Sequence, residues 1–263
     1  MDLGLQDKVA VVLASSKGLG LAAARSLAAE GCRLALCARG AEALAQAARS
    51  IWEEAGRPIF ARSLDVEQRE PMREFVKAVV KEFGTIHILV TNCGGPPPGL
   101  SLEMSDEQWD AAVRSTLLVS VDWTREIAPF MIRQRWGRIV HIASTSVKQP
   151  IDGLVLSNTM RSGVVGFAKT CSREFAPHGV LVNVVCPGLM DTDRLRALAE
   201  VRSRNAGVSA EEMLRRMTAD IPLGRIGKTD EFASVIAFLA SERASYLTGA
   251  TIQVDGGAFR GMM

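Results

Sequence analysis

Two glycines spaced for phosphate binding are the first chemically informative feature of the chain. The run Ala14-Ser15-Ser16-Lys17-Gly18-Leu19-Gly20 follows a short apolar, β-branched stretch and opens an Ala- and Leu-rich one. Glycines at 18 and 20 let the backbone come close to a pyrophosphate, and the open N–H groups of a helix start receive the anion. The competing reading is a tight strand-to-helix turn with no ligand. A second stretch, Leu36-Cys37-Ala38-Arg39, ends where a dinucleotide site specific for NAD carries an acid for the ribose 2′-hydroxyl. Here neutral Ala38 is followed by Arg39, and Lys17 in the glycine turn is expected to project toward the same ribose. Two cations and no acid suit a 2′-phosphate, and so NADP(H). The alternative is a pair of solvated surface charges.

Such groups need an alternation of strands and helices to position them. Apolar, β-branched runs predict strands near 9–14, 33–38, 59–63, 86–91, 138–143, 181–185 and 251–254. Helical spacing predicts helices over 19–30, 41–55, 71–83, 106–135, 156–176 and 230–241. Strands alternating with helices through short joins imply an α/β fold: a Rossmann-type, doubly wound parallel sheet of about seven strands with helices on both faces. Gly31, Gly56, Gly84, Gly137 and Gly179 fall where helix C-terminal glycines belong, and Asp106 fits an N-cap. The run Gly94-Gly95-Pro96-Pro97-Pro98-Gly99 is a rigid loop inside the alternation, so residues 1–263 form one domain. A charged, Arg-rich stretch breaks the rhythm, and about 192–221 is expected to be an inserted segment covering a pocket.

On these residues the chain resembles the short-chain dehydrogenase/reductases, and within them the 3-oxoacyl-ACP reductases. The family's turn usually reads TGxxxGxG. Gly18 and Gly20 match it, while Leu13 and Ala14 occupy its first two positions, at some cost in backbone freedom. Further motifs follow in order over residues 6–258. Asp65-Val66 matches the adenine-contacting Asp, and Asn92-Cys93-Gly94 matches an NAG motif with Cys for Ala. Pro187-Gly188-Leu189-Met190-Asp191-Thr192 matches PGxxxT, the segment that holds the nicotinamide amide, and Asp255-Gly256-Gly257 matches a C-terminal signature. The resemblance implies cofactor contacts at Ala14, Ser16, Lys17, Gly18, Leu19, Gly20, Arg39, Asp65, Val66, Asn92, Gly94, Arg161, Pro187, Gly188 and Thr192. It also implies a homo-oligomer, a dimer or tetramer packed through the helices 106–135 and 156–176.

The family's catalytic positions are largely replaced. Its members use Asn, Ser, Tyr and Lys: Ser polarises the carbonyl, the Tyr of a YxxxK pair transfers the proton, Lys lowers the Tyr pKa, and Asn serves a water relay. Gly163-Val164-Val165-Gly166-Phe167 sets the register. Ser144 matches the Ser. Ser157 stands for Tyr, Arg161 for Lys and Thr116 for Asn. Ser157 is a far weaker acid than a phenol of pKa about 10. Arg161 keeps the charge and suits the nicotinamide ribose, but a guanidinium cannot serve as a titrating proton donor. The single tyrosine, Tyr246, lies in a segment that is structural in the family. Other acids are Lys148 in a loop that should rim the pocket, His141 within a strand and Asp152 in a turn. Each has a plainer reading, as a solvated Lys, a core His and a turn-forming Asp. His87 and His178 show no partner in the sequence.

Composition bounds the remaining classes. Hydrophobic residues make up 48% of the 263 residues, enough for a sizeable core, and the net charge of +2 makes no case for nucleic acid or membrane partners. The five cysteines are odd in number and scattered, without a CxxC pair, which argues against disulfides and a zinc site. The start Met1-Asp2-Leu3-Gly4-Leu5 lacks the basic and apolar runs of a signal peptide, so a cytoplasmic protein is expected. Arg194, Arg196, Arg202, Arg204, Arg215 and Arg216 either attract an anionic substrate or pair with the interleaved Glu200, Glu211, Glu212 and Asp220. Met262-Met263 reads as an apolar tail. Two functional readings remain. One is an NADP(H)-dependent oxidoreductase moving hydride between nicotinamide and a small organic substrate (carbonyl/alcohol or conjugated) with a non-standard proton donor. The other is a non-catalytic NADP(H)-binding sensor or inactive partner subunit.

Overall fold

The computed structural model describes residues 2–262; Met1 and Met263, at the ends of the expected domain and tail, lie outside the described residues. Its apolar runs form seven strands: β1 (Val9–Leu13), β2 (Arg33–Ala38), β3 (Phe60–Ser63), β4 (Ile88–Thr91), β5 (Gly137–Ile142), β6 (Val180–Pro187) and β7 (Thr251–Val254). They make one parallel sheet in the order β3-β2-β1-β4-β5-β6-β7. Near-continuous apolar runs are what a parallel sheet covered on both faces requires. One face packs on α1 (Gly18–Ala29), α2 (Ala41–Ala55) and α9 (Thr229–Ala240) through Leu27, Leu44, Ile51, Phe232 and Ile236. The other packs on α3 (Arg69–Phe83), α5 (Val119–Arg133) and α6 (Val155–Phe175) through Phe75, Val79, Trp123, Ile127 and Cys171.

The helix expected over 106–135 is not uniform. It runs as α4 (Asp106–Ala112), a π-helical turn (Val113–Leu118) and α5. Its N-cap is Ser105, not Asp106: Ser105 Oγ accepts from Gln108 N (3.3 Å), and Gln108 Oε1 accepts from Ser105 N (2.9 Å). Such a reciprocal box satisfies two orphan donors. Gly137 is not a helix cap either. Arg135 takes the left-handed conformation (φ 53°), and Gly137 opens β5 where a Cβ would meet Met131 Cβ at 2.5 Å. The segment after β6 folds into α7 (Asp193–Ala206) and α8 (Ala210–Thr218). The five cysteines are unpaired, and all but Cys93 are buried. Among the described residues no cluster of three or more His, Cys, Asp or Glu is arranged for a metal, and no helix is long and apolar enough to cross a membrane.

Both histidines of the sheet have partners. His87 Nδ1 accepts from Val9 N at 3.0 Å, a contact not foreseen in the sequence. His141 is fully buried in β5 with Nδ1 2.8 Å from Thr91 Oγ1 and its ring against Phe167. Burial pushes the pKa of each down to about 4. An unfolded histidine protonates near 6.5, so between pH 6.5 and 4 the unfolded chain binds more protons than the native one. The stabilisation is complete above that window and is lost as pH falls through it. Urea unfolding followed from pH 7 to pH 4.5 should show stability falling by up to about 1.4 kcal/mol per pH unit per histidine. His141→Leu should flatten the slope; an unchanged slope would mean that His141 titrates normally.

Candidate cofactor and active site

Strand β1 delivers the glycine turn to the C-terminal end of the sheet. Its two neighbours, β2 and β4, lie on opposite sides and lead away from it, so a crevice opens there. Ala14 follows β1 in the left-handed region (φ 48°), which explains why glycine suits this position in the resembling family. Ser15 anchors the turn from below: its N donates to Cys37 O (3.2 Å) and its Oγ to Val12 O (3.1 Å). A Cβ on Gly20 would stand 2.5 Å from Ala14 O and 2.9 Å from Asn92 Nδ2. Glycine there lets α1 start directly on the strand ends, with Asn92 Nδ2 donating to Ala14 O at 3.4 Å. Gly18 is left-handed (φ 58°), and a Cβ on it would lie 3.7 Å from the Thr192 methyl. Ser16 and Leu19 are half-buried around it. Lys17, the N-cap of α1, is exposed and makes no side-chain cap, so the first N–H groups of α1 stay open toward the crevice.

The rest of the predicted cofactor set stands at or just beyond the C-terminal ends of β2, β3, β4 and β6. Arg39 is exposed just beyond β2, and its carbonyl accepts from Ser63 Oγ (2.8 Å). Asp65 Oδ1 accepts from Glu67 N (3.1 Å), and Val66 O accepts from Trp123 Nε1 (3.0 Å). Glu67 escaped the sequence reading. Burial first, then the charge of Asp65, raise its pKa, while Arg39 and Arg114 oppose the rise. Gly94 is exposed beyond β4. Gly188 packs so closely that a Cβ would meet Asp255 Cβ at 2.7 Å, joining Pro187-Gly188 to the Asp255-Gly256-Gly257 turn. Thr192 caps α7, its Oγ1 accepting from Leu195 N (3.3 Å).

The four positions expected to be catalytic lie on three segments after β4 and β5 that pack together. Ser144 follows β5, and its Oγ accepts from Ser146 N (3.1 Å) at the head of a short 3₁₀ turn. Helix α6 packs on that turn and on the π-helical turn holding Thr116, whose buried Oγ1 has no partner among the described residues. π-Turns recur at functional sites. Ser157 is half-buried in the first turn of α6. Arg161, one turn on, is buried, with Nη1 donating to Ile142 O (3.2 Å) and Ala143 O (3.0 Å). Asn158, also missed from sequence, clamps the loop before α6: its Nδ2 donates to Ile151 O (3.0 Å) and its Oδ1 accepts from Ile151 N (3.3 Å). Lys148 is half-buried at the rim. Burial raises the Cys186 thiol to about 11 against the lowering charges of Lys148 and Arg161. Tyr246 is fully exposed before β7, His141 is locked in the core, and Asp152 is exposed. None of these three faces the Ser144 pocket as an acid.

A family model described as enoyl-(acyl carrier protein) reductase matches residues 13–258. The chain belongs to the short-chain dehydrogenase/reductase family. It is 34% identical over 259 residues to the 3-oxoacyl-[acyl-carrier-protein] reductase of Aquifex aeolicus, covering 98% of this chain and 100% of that one. The L-sorbose reductase of Gluconobacter frateurii, solved with NADPH and L-sorbose, matches at a TM-score of 0.96 and 32% identity over 100% of both chains. The actinorhodin polyketide ketoreductase, solved with NADPH, matches at 0.92 and 35%, over 97% of this chain and 98% of that one. This short-chain dehydrogenase/reductase carries an alanine where its backbone is left-handed. That conformation costs about 1–2 kcal/mol for a residue with a Cβ, against about 0.4–1 kcal/mol of unfolded-state entropy that glycine adds. Ala14→Gly should therefore raise Tm by about 2–4 °C in calorimetry for roughly 1 kcal/mol gained; a lowered Tm would refute the strain.

Proposed function

We propose that the chain is an NADP(H)-dependent short-chain oxidoreductase that moves hydride between nicotinamide and a small organic substrate, a carbonyl/alcohol or conjugated compound. The observation that carries the reading is the crevice in which Gly18 faces Thr192 and the start of α1 is left without a side-chain cap. Lys17 and Arg39 would hold the 2′-phosphate, Asp65 and Val66 the adenine, and Asn92 and Gly94 the middle of the dinucleotide. Arg161 would take the nicotinamide ribose, and Pro187, Gly188 and Thr192 the amide. The relatives solved with NADPH support the same cofactor. When bound, NADPH supplies the hydride.

The chain's own residues do the rest. Ser144, held by Ser146 N, and Ser157 on α6 orient the substrate oxygen, and Thr116 offers an unengaged hydroxyl to a water beside them. The proton comes from water or from Lys148 at the rim, and helices α7 and α8, within about 192–221, cover the pocket. Loss of a positioned general acid costs about 10²–10⁴ in rate, so a substrate that needs little acid help is favoured. We place the protein in the cytoplasm as a homo-oligomer joined through α4, α5 and α6. A second reading, a non-catalytic NADP(H) sensor or inactive partner subunit, draws on Tyr246 lying on the exposed surface, away from the Ser144 pocket.

Fluorescence titration with NADPH and NADH tests the cofactor. NADPH should bind better, and Arg39→Ala should weaken NADPH by about tenfold or more, as expected for a lost charge-assisted phosphate contact, with little effect on NADH. NADPH turnover against ketones, quinones, enones and 3-oxoacyl thioesters, lost in Ser144→Ala, would establish the enzyme. Tight binding without turnover would establish the sensor. Failure to bind either dinucleotide would overturn both.

A further inference from the structure

We propose that Gly99, at the tip of the run Pro96-Pro97-Pro98, is a positioning residue that fixes the substrate loop, residues 144–157, through a backbone bridge to Gly153. The proposal rests on the functional reading above, in which Ser144 and Ser157 orient the substrate oxygen. Strands β4 and β5 are neighbours, with Thr91 opposite His141. The chain leaves them in two loops, one from Asn92 toward α4 and one from Ser144 toward α6. The loops meet again at their tips. Gly99 N donates to Gly153 O at 2.7 Å, and Gly99 forms a parallel bridge with Leu154. At the base, Thr91 Oγ1 lies 2.8 Å from His141 Nδ1. Base and tip together close a ring of chain. Among the described residues no other hydrogen bond joins the two loops.

Each glycine of the bridge has its own reason. Gly153 is left-handed (φ 71°), and a Cβ there would meet nothing within 4 Å, so backbone conformation alone asks for glycine. Gly99 is not left-handed, but a Cβ on it would overlap Met104 Cε. Met104 belongs to the apolar cluster with Trp109, Leu156 and Met160, where α4 rests on α6. A missing side chain thus seats the tip on that cluster. Proline locks φ near −65° and keeps the residue before it extended, so Pro96–Pro98 span about 9 Å with little freedom. The run is a stiff strut from the end of β4 to the bridge.

The other ties of the substrate loop run to its own ends. Val147 N donates to Ser144 O (3.1 Å) and Leu154 N to Ile151 O (3.2 Å), while Asn158 clamps Ile151 from α6. Arg161 joins α6 to the end of β5. These contacts shape the loop, and the bridge sets where its far end stands relative to β4. A displacement of about 1 Å in groups that orient a substrate costs about 10²-fold in rate. The glycine turn follows β1, outside the ring, and Asn92 holds Ala14 O from the base. Cutting the bridge at the tip therefore leaves the phosphate-binding turn in place.

Hydrogen exchange read by mass spectrometry on the full chain tests the proposal. It is run beside NADPH titration and NADPH turnover with acetoacetyl-N-acetylcysteamine, cyclohexanone, cyclohexenone and menadione. Gly99→Pro removes the N–H of the bridge; Gly99→Ala keeps it and asks only that the end of Met104 move. Relative to Gly99→Ala, Gly99→Pro should exchange residues 144–157 about tenfold faster, the size of one lost hydrogen bond. It should also lower kcat/KM by about 10–10²-fold on any probe turned over, with NADPH affinity within about twofold. A second pair covers a Gly99→Pro chain that fails to fold. Gly153→Val, disfavoured in the left-handed region, should loosen the same segment, and Gly153→Asn, which tolerates that region, should not. Equal exchange within the pairs would overturn the proposal. So would a Gly99→Pro variant that loses NADPH affinity in step with turnover, which would give the strut to the cofactor. Failure of the unaltered chain to bind NADPH would sink the functional reading instead, and the exchange comparison would still decide whether the bridge holds the loop.

Discussion

A parallel sheet covered by helices on both faces leaves its polar groups nowhere to go except its strand ends. Strand β1 is buried along its whole length, and so is β5. The strand ends and the loops that follow them therefore carry the chemistry. Reversal of strand order at β1 and β4 opens the one place where two such loops diverge. The glycine turn, Asn92, Ser144 and Pro187-Gly188 all follow from that constraint, each standing just beyond a strand or at its last residue. Close contacts then tie the loops together: Gly20 under Ala14 O and Asn92, Gly188 on Asp255, and Thr192 across from Gly18.

In the proposed function, Ser157 and Arg161 standing for a tyrosine and a lysine change the electrostatics more than the architecture. The Arg161 guanidinium is held at the end of β5, where Nη1 donates to two backbone carbonyls. The proposed reading exchanges a tyrosine–lysine pair for a guanidinium. A guanidinium is a poor proton donor, which is why the proposed donor is sought in water or Lys148.

Much of the architecture was legible because the periodicities are strong. The seven strands, the wholly buried runs of β1 and β5 and the helices on both faces follow directly from apolar patterning. Local boundaries were less legible. Ser105 rather than Asp106 caps α4 because the reciprocal bond to Gln108 decides it, and both residues are good caps on type alone. The π-helical turn at Val113–Leu118 leaves no mark in residue type, since one extra residue per turn arises from packing on α6. Gly137 reads as a cap but is needed for its lack of a side chain beneath Met131. Glu67 and Asn158 were missed because each acts on a residue brought near by a loop.

The sequence by itself determined the fold class, the glycine turn and the absence of an acid at Ala38-Arg39. These are properties of residue identity and short-range spacing, which hydrophobic period and turn chemistry express directly. Only the tertiary structure decided that Tyr246 stands on the surface, that His141 belongs to the core and that Arg194 turns inward while its neighbour Arg196 pairs with Asp191. The physical reason is that a charged side chain's partner is set by distance in space. Arg194 sits on α7 and Gly95 in the loop after β4, and nothing in their spacing along the chain announces that the guanidinium lies against that glycine.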